Sequence, residues 1–157
     1  MFHYKRSMTV DLFKDDDGAV NATAKLSIGS PSLPKRYVYQ LSVAFEPRQG
    51  VLVVVDAVVD ALSAEAEACD QTRLLACRMK GIALDEKYLW KIYNIFGRSD
   101  GCQHLYELAL EIARAHSNLS VGEYLQIVQD ADRPVPPVTL SLHCAGLAYL
   151  EGAKETL

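Results

Sequence analysis

"RYVYQLSVAFEPRQGVLVVVDAVV", residues 36–59, carries the pattern that decides the fold. In its first half, apolar and polar residues alternate with a period of two, which is typical of a half-buried β-strand. The connection at 46–50 is short enough for a hairpin, and the run at 51–59 is apolar on both faces, which predicts a strand covered on both sides. The stretch therefore predicts two neighbouring antiparallel strands.

The same alternation occurs twice upstream. "FHYKRSMTVDL" at 2–12 has apolar residues at almost every even position, and "AVNATAKLSI" at 19–28 resumes the pattern after a "DDDG" turn at 15–18. "GSPSLP" at 29–34 then interrupts it before the hairpin begins. Four sequential strands with short links predict an antiparallel meander.

Downstream of Ala61 the period changes to that of a helix. Three helices are predicted at about 63–80, 84–96 and 101–116, and two later segments, 120–130 and 139–157, are also compatible with helix. The expected starts and stops are Ser63 and Gly81 for the first helix, Asp85 and Gly97 for the second, a capping box of Asp100 and Gln103 for the third, and another of Ser120 and Glu123.

These patterns predict a single α+β domain spanning residues 1–157. An N-terminal four-strand antiparallel meander, about 2–60, is expected to be packed on one face by C-terminal helices, about 63–157. Half of the residues are hydrophobic and 23% are charged, which is typical of a globular domain.

Composition also excludes several partners. The 16 basic residues are scattered among 20 acidic ones and the net charge is −4, so we expect no nucleic acid. No window approaches the ~20 apolar residues of a membrane span, and the N-terminus resembles no export signal. We therefore expect a cytoplasmic protein without a membrane partner, whose four cysteines remain reduced. Walker, dinucleotide-binding and Gly-x-Ser-x-Gly motifs are absent from the sequence.

The strongest chemical signal is Cys102 followed two positions later by His104. In a regular helix these side chains would point to nearly opposite sides, so they converge only if Cys102 lies in the turn before the helix, a geometry that Gly101 permits. Backbone N–H groups at the helix start would then stabilise a thiolate. Three interpretations stay open: a metal site, a reactive thiol, or a small packed cysteine beside a surface histidine.

A family resemblance covers these residues. "CRMKGIALDEKYLWKIYNIFGRSDGCQHLYELALEIARA" resembles the bacterial domain-of-unknown-function family 2889, whose members show an upstream cysteine, a "GL-I" segment and a Gly-Cys-Thr-His-Leu motif. Here Cys69 stands at the upstream cysteine, Gly81 begins the middle segment, and Gln103 replaces the threonine. The resemblance spans roughly residues 2–116 and implies no particular reaction. Many members also carry an Asp and a His near the end of the second strand, which this chain lacks.

The order of elements is also similar to that of iron–sulfur cluster scaffold proteins. Those proteins have an antiparallel sheet, a cysteine at a strand-to-helix junction, and a His/Cys pair that opens a later helix. The resemblance implies a further cysteine and an aspartate where this chain has Ser30, Ser32 and Leu33. The pair His143–Cys144 matches the scaffold's final motif as well as the Cys102/His104 pair does.

Cys69, Cys102 and His104 are the predicted metal ligands. Two thiolates and one imidazole suit zinc or iron, or an iron–sulfur cluster, better than magnesium or calcium, which prefer oxygen ligands. Candidates for a fourth ligand are Glu107, His143 and Cys144, whereas Cys77 is expected in the core.

The leading hypothesis is therefore a small metal- or cluster-binding accessory protein. One alternative is a non-catalytic module that binds an unknown protein partner through its sheet edge or a helical face. Another is a thiol-dependent enzyme or sulfur carrier in which Cys102 reacts.

The remaining polar residues have simpler interpretations. His3 is expected to be solvated on an exposed strand, and His116 to interact as an imidazolium with the last carbonyls of its helix. Asp56 and Asp60 lie four apart on one strand and are interpreted as solvent-facing carboxylates rather than an acid/base pair.

Overall fold

Four antiparallel strands, paired in chain order, form one sheet in the computed structural model. The structure describes residues 4–29, 37–61 and 72–119, together with Glu123. The strands are β1 (Lys5–Lys14), β2 (Val20–Gly29), β3 (Tyr37–Arg48) and β4 (Val51–Ala61). They are followed by a 3₁₀ helix (Leu74–Met79) and by the helices α1 (Tyr88–Phe96) and α2 (Gln103–Ser117). The predicted α+β fold with a four-strand meander is confirmed.

The two faces of the sheet differ as the alternation predicts. Small and branched side chains of β2 and β3, such as Ala24 and Leu41, form cross-strand pairs on the inner face and are fully buried. Helix α2 packs across β1, β2 and β3 on this face. Its inward stripe is buried and comprises Leu105, Leu108, Ala109, Ile112, Ala113 and His116. The helices therefore cover one face of the sheet, and the other carries mainly polar residues.

Strand β4 is not covered on both sides over its described length, so that prediction is wrong. Its register against β3 shifts between Ala44 and Phe45, which leaves Val55 as an extra residue in a β-bulge. Before the bulge the even positions are buried, and after it the odd positions are buried. Val55 and Val58 are instead 38% and 49% exposed. The run therefore looked apolar on both faces because the bulge reverses the phase of the inward side chains.

The segment Gly81–Leu84 covers part of the outer edge of β4. The Gly81 and Leu84 N–H groups donate to the Val54 and Leu52 carbonyls at 2.8 Å each, and Val53 forms an antiparallel bridge with Ala83. Gly81 adopts a φ of 82°, a left-handed conformation that ends the preceding helical turn as predicted. The family's "GL-I" position thus has a structural role at the sheet edge.

The helix boundaries agree with the predictions in part. The described end of the first predicted helix is a 3₁₀ helix, and α1 begins at Tyr88, three residues after Asp85. The Asp85 carboxylate still accepts a hydrogen bond from the Lys87 N–H at 2.8 Å, and Gly97 ends α1 as expected. Several predictions lie outside the described residues: the start at Ser63, Cys69, Ser120, the helix at 139–157 with His143 and Cys144, and His3.

Candidate functional site

Cys102 is the N-cap residue of α2. Its backbone is extended, with φ −135° and ψ 116°, and its carbonyl accepts the first hydrogen bond of the helix from the Tyr106 N–H at 3.0 Å. The predicted capping box of Asp100 and Gln103 is wrong, because the helix starts two residues later and no side chain caps it. Gln103 donates instead to Glu107 at 3.4 Å. Cys102 therefore lies in the turn before the helix, the position from which it can approach His104.

Close packing of Gly101 explains this start. The Gly101 N–H donates to the Arg98 carbonyl at 2.9 Å, which closes a turn between α1 and α2. A Cβ atom at Gly101 would overlap the Phe96 carbonyl group, and Phe96 is itself buried at the end of α1. Since backbone atoms cannot rotate away as a side-chain tip can, only glycine fits here without moving the turn. This contact therefore fixes the turn that precedes Cys102 against the end of α1.

His104 is held by an aromatic contact with the sheet. Its ring stacks on Tyr39 of β3 with ring centroids 4.5 Å apart and an angle of 15° between the planes. Both side chains are partly exposed. Nothing in the local sequence pattern reveals this contact, because it joins residues 65 positions apart. The stack fixes the plane of the imidazole next to the start of α2.

The strand that leads to Cys69 ends beside this stack. Tyr39 pairs with Ala61, the last residue of β4, and Cys69 follows eight residues later. Eight residues of chain span at most ~29 Å. Cys69 itself lies outside the described residues. The segment that leads to Cys69 nevertheless starts at Ala61, which pairs with Tyr39, and His104 stacks on Tyr39.

The described residues contain no group of three His, Cys, Asp or Glu side chains that could hold a metal ion. Cys102 and His104 would supply two ligands, and Cys69 would be the third. Glu107, a candidate for the fourth, forms an ion pair with Arg6 on its exposed flank of α2. Glu107 as the fourth ligand stays a prediction.

Cys77 is exposed, so its predicted place in the core is wrong. On the 3₁₀ helix the three-residue spacing directs Ala76 and Met79 inward and leaves Cys77 outside. Its thiol donates to the Leu74 carbonyl at 2.8 Å. Cys77 thus provides an exposed thiol for comparison with Cys102.

His116 and Asp56 differ in their electrostatics. His116 is only 2% exposed, and this burial lowers its pKa to about 4, so the imidazole is neutral near pH 7. The predicted imidazolium at the helix end is therefore wrong. Asp56 is exposed as expected, and the hydrogen bond and charge of Lys80, 3.0 Å away, lower the pKa of its carboxyl group. Neither residue contributes to the Cys102 turn.

Comparisons with known proteins give one positive result. None of the helices among the described residues is long and apolar enough to cross a membrane. No curated protein and no solved structure matches the chain, so the likeness to iron–sulfur scaffolds stays a prediction. The model of the family "Protein of unknown function (DUF2889)" matches residues 4–118, and the chain belongs to this family.

Proposed function

We propose that the protein is a small accessory protein that binds zinc, iron or an iron–sulfur cluster through Cys69, Cys102 and His104. The observation that carries the proposal is the position of Cys102, in the extended turn before α2 rather than on the helix. A regular helix would separate the thiol from His104, whereas this turn leaves the thiol free to approach the imidazole. The stack on Tyr39 orients that imidazole.

The chemistry of the donors agrees with this proposal. Thiolate and imidazole are the usual ligands of structural zinc and are also common ligands of iron. Three protein ligands leave a position for water, a substrate or a fourth side chain. The proposal retains the cytoplasmic location expected from the sequence, because a reducing compartment keeps the thiols available.

Elemental analysis of tag-free protein purified without oxygen tests the proposal. We expect near-stoichiometric zinc or iron in the wild type and its loss in Cys102→Ser, Cys69→Ser and His104→Gln. Cys77→Ser is the matched control, since it removes an exposed thiol of the 3₁₀ helix, and it should retain the metal. Metal-free wild-type protein, or equal metal loss in the Cys77→Ser control, would contradict the proposal.

A reactive thiol is the second candidate, favoured by the partial exposure of Cys102 at the start of a helix. It predicts that iodoacetamide labels Cys102 faster than Cys77 near neutral pH, although Cys77 is the more exposed of the two. Peptide mass spectrometry of the metal-free protein measures both rates in one sample. Slower labelling of Cys102 would argue against this candidate and leave the metal proposal unaffected.

An interaction module without chemistry is the third candidate. Trp90 and Tyr93 are 69% and 50% exposed on α1, which is unusual for such large side chains. This candidate predicts that a variant with Cys69, Cys102 and His104 all replaced binds its protein partner normally. Loss of binding in that variant would favour the metal or thiol functions.

A further inference from the structure

Strand β1 presents a long outer edge. It has ten residues and pairs with β2 on one side, and within the described part of the chain nothing pairs with the other side. Its inward residues Met8, Val10 and Leu12 remain partly exposed, whereas the facing residues of β2 are fully buried. Such an edge offers both backbone hydrogen-bonding groups and apolar surface to another strand.

We infer that β1 pairs antiparallel with β1 of a second copy of this chain, with Met8 opposite Met8 of the partner subunit. This register preserves the two faces of the sheet in both copies. On the outer face it places Lys5 of each copy opposite Asp11 of the other, which forms two symmetric pairs of opposite charge. Both side chains are exposed in the single chain.

The inner face supports the same register. Tyr4, which is 54% exposed, would lie opposite Leu12 of the second copy, and the two Met8 side chains would meet at the symmetry axis. The partly exposed apolar residues of β1 would thereby be covered from both sides. The pairing would extend the four-strand sheet to eight strands with all helices on one face.

The charged residues of β1 favour this register over the neighbouring registers. A shift that centres on Val10 would place Arg6 opposite Lys14 twice, which is repulsive. A shift that centres on Thr9 would place Lys5 opposite Phe13 and form no pair of opposite charge. Among these three registers, only the one centred on Met8 places opposite charges across from each other on the outer face.

The flank of α2 beside β1 is also suited to a second copy. A groove of about 300 Å³ lies between the two elements and is lined by charges of both signs, Arg6 and Arg114 with Glu107 and Glu111. Arg6 pairs with Glu107 and Arg114 pairs with Glu111 within the chain, so this flank has no excess of either charge that would repel a second copy across a two-fold axis. A strand from a different protein is the alternative occupant. The self-complementary charges of β1 favour the second copy.

Sedimentation equilibrium in the presence of a reductant tests the inference. We expect the wild type to form a dimer of twice the 17.3 kDa chain mass. Lys5→Asp and Asp11→Lys each turn both cross-strand pairs into like-charge pairs, and each should weaken dimerisation about tenfold. Lys25→Asp is the matched control, because it makes the same charge change on the same face of β2, and it should leave the dimer intact. Circular dichroism confirms that each variant is folded.

Mixing the two weakened variants provides the decisive measurement. In a mixed dimer each aspartate or lysine again faces an opposite charge at both positions, so the mixture should dimerise about as tightly as the wild type. A wild type that stays monomeric at every concentration would overturn the inference. A dimer that is unaffected by Lys5→Asp, or a mixture that is no tighter than its components, would also overturn it. None of these outcomes depends on metal binding, so the inference stands or fails separately from the proposed function.

Discussion

The two ends of α2 each carry a histidine, and the two residues are placed in opposite ways. His104 lies in the first turn, partly exposed and stacked on Tyr39. His116 lies in the last turn, 2% exposed within the core. The difference shows that residue type alone does not indicate a site, because one imidazole is partly exposed beside the start of the helix and the other is packed as a core side chain.

The starts of α1 and α2 differ in a similar way. A carboxylate, Asp85, accepts a backbone N–H in the turn that precedes α1. The N-cap residue itself makes no side-chain capping hydrogen bond in either helix, and this residue is Lys87 in α1 and Cys102 in α2. An N-cap Ser, Thr, Asp or Asn contributes about 1 kcal/mol relative to Ala. The chain therefore forgoes this stabilisation at the position of its candidate ligand.

The largest predicted effect concerns the buried end of α2. The unfolded chain takes up a proton at His116 below its usual pKa of 6.5, whereas the folded protein does so only below about 4. The free energy of unfolding should therefore fall as the pH is lowered from about 6.5 to about 4, by about 3 kcal/mol, and this contribution is constant above that range. Urea unfolding at several pH values measures the slope.

The variant His116→Leu sharpens this test. It removes the titrating group and should flatten the part of the slope between pH 6.5 and 5, where few carboxylates titrate. An NMR titration of the imidazole checks the assignment directly. A His116 that titrates near 6.5 in the folded protein would show that the two ends of α2 do not differ as described.

The next effect concerns the turn at the exposed end. Gly101→Ala should lower the free energy of unfolding by about 2 kcal/mol, because the added Cβ would overlap the Phe96 carbonyl. Gly81→Ala is the control. Its Cβ would meet no atom within 4 Å, but its φ of 82° is strained for alanine, so about 1 kcal/mol is expected. Chemical denaturation of both variants measures the difference, and equal losses would contradict the role of the Phe96 contact.

The sequence predicted those parts of the molecule that depend on periodicity. Alternation predicted the first three strands, the continuous apolar run predicted the fourth, and the helical period predicted α2. It could not predict the bulge at Val55, because one inserted residue changes the phase without changing the apolar composition. It also misplaced the start of α2, because the Gly101–Phe96 contact that fixes it is tertiary.

The candidate site was predicted less completely than the fold. The Cys-x-His spacing drew attention to Cys102 and His104, and the structure places Cys102 in the turn that the spacing requires. The stack of His104 on Tyr39 joins residues 65 positions apart and has no local signal. Cys77 was misassigned because a 3₁₀ helix directs different residues inward than an α-helix does.

Replacing the missing cap should separate stability from function at the start of α2. Cys102→Asp supplies a carboxylate that can accept backbone N–H groups, so the free energy of unfolding should rise by about 1 kcal/mol relative to Cys102→Ala. The same substitution should remove thiol labelling at this position and weaken metal binding, because it removes a thiolate ligand. Thermal unfolding and elemental analysis measure the two effects. A Cys102→Asp variant that is less stable than Cys102→Ala would show that the side chain at position 102 cannot accept hydrogen bonds from the first backbone N–H groups of α2.

The smallest predicted effect isolates the contact that distinguishes His104 from His116. The single variants Tyr39→Leu and His104→Leu, together with the double variant, form a double-mutant cycle. We expect a coupling energy of about 0.5–1 kcal/mol, because the rings stack at a partly exposed position. Pairing Leu41 with His104 in a second cycle is the control, since Leu41 lies on the same face of β3 two residues further along but is fully buried. If the two cycles give the same coupling, the stack has no specific energy and Tyr39 does not orient the imidazole.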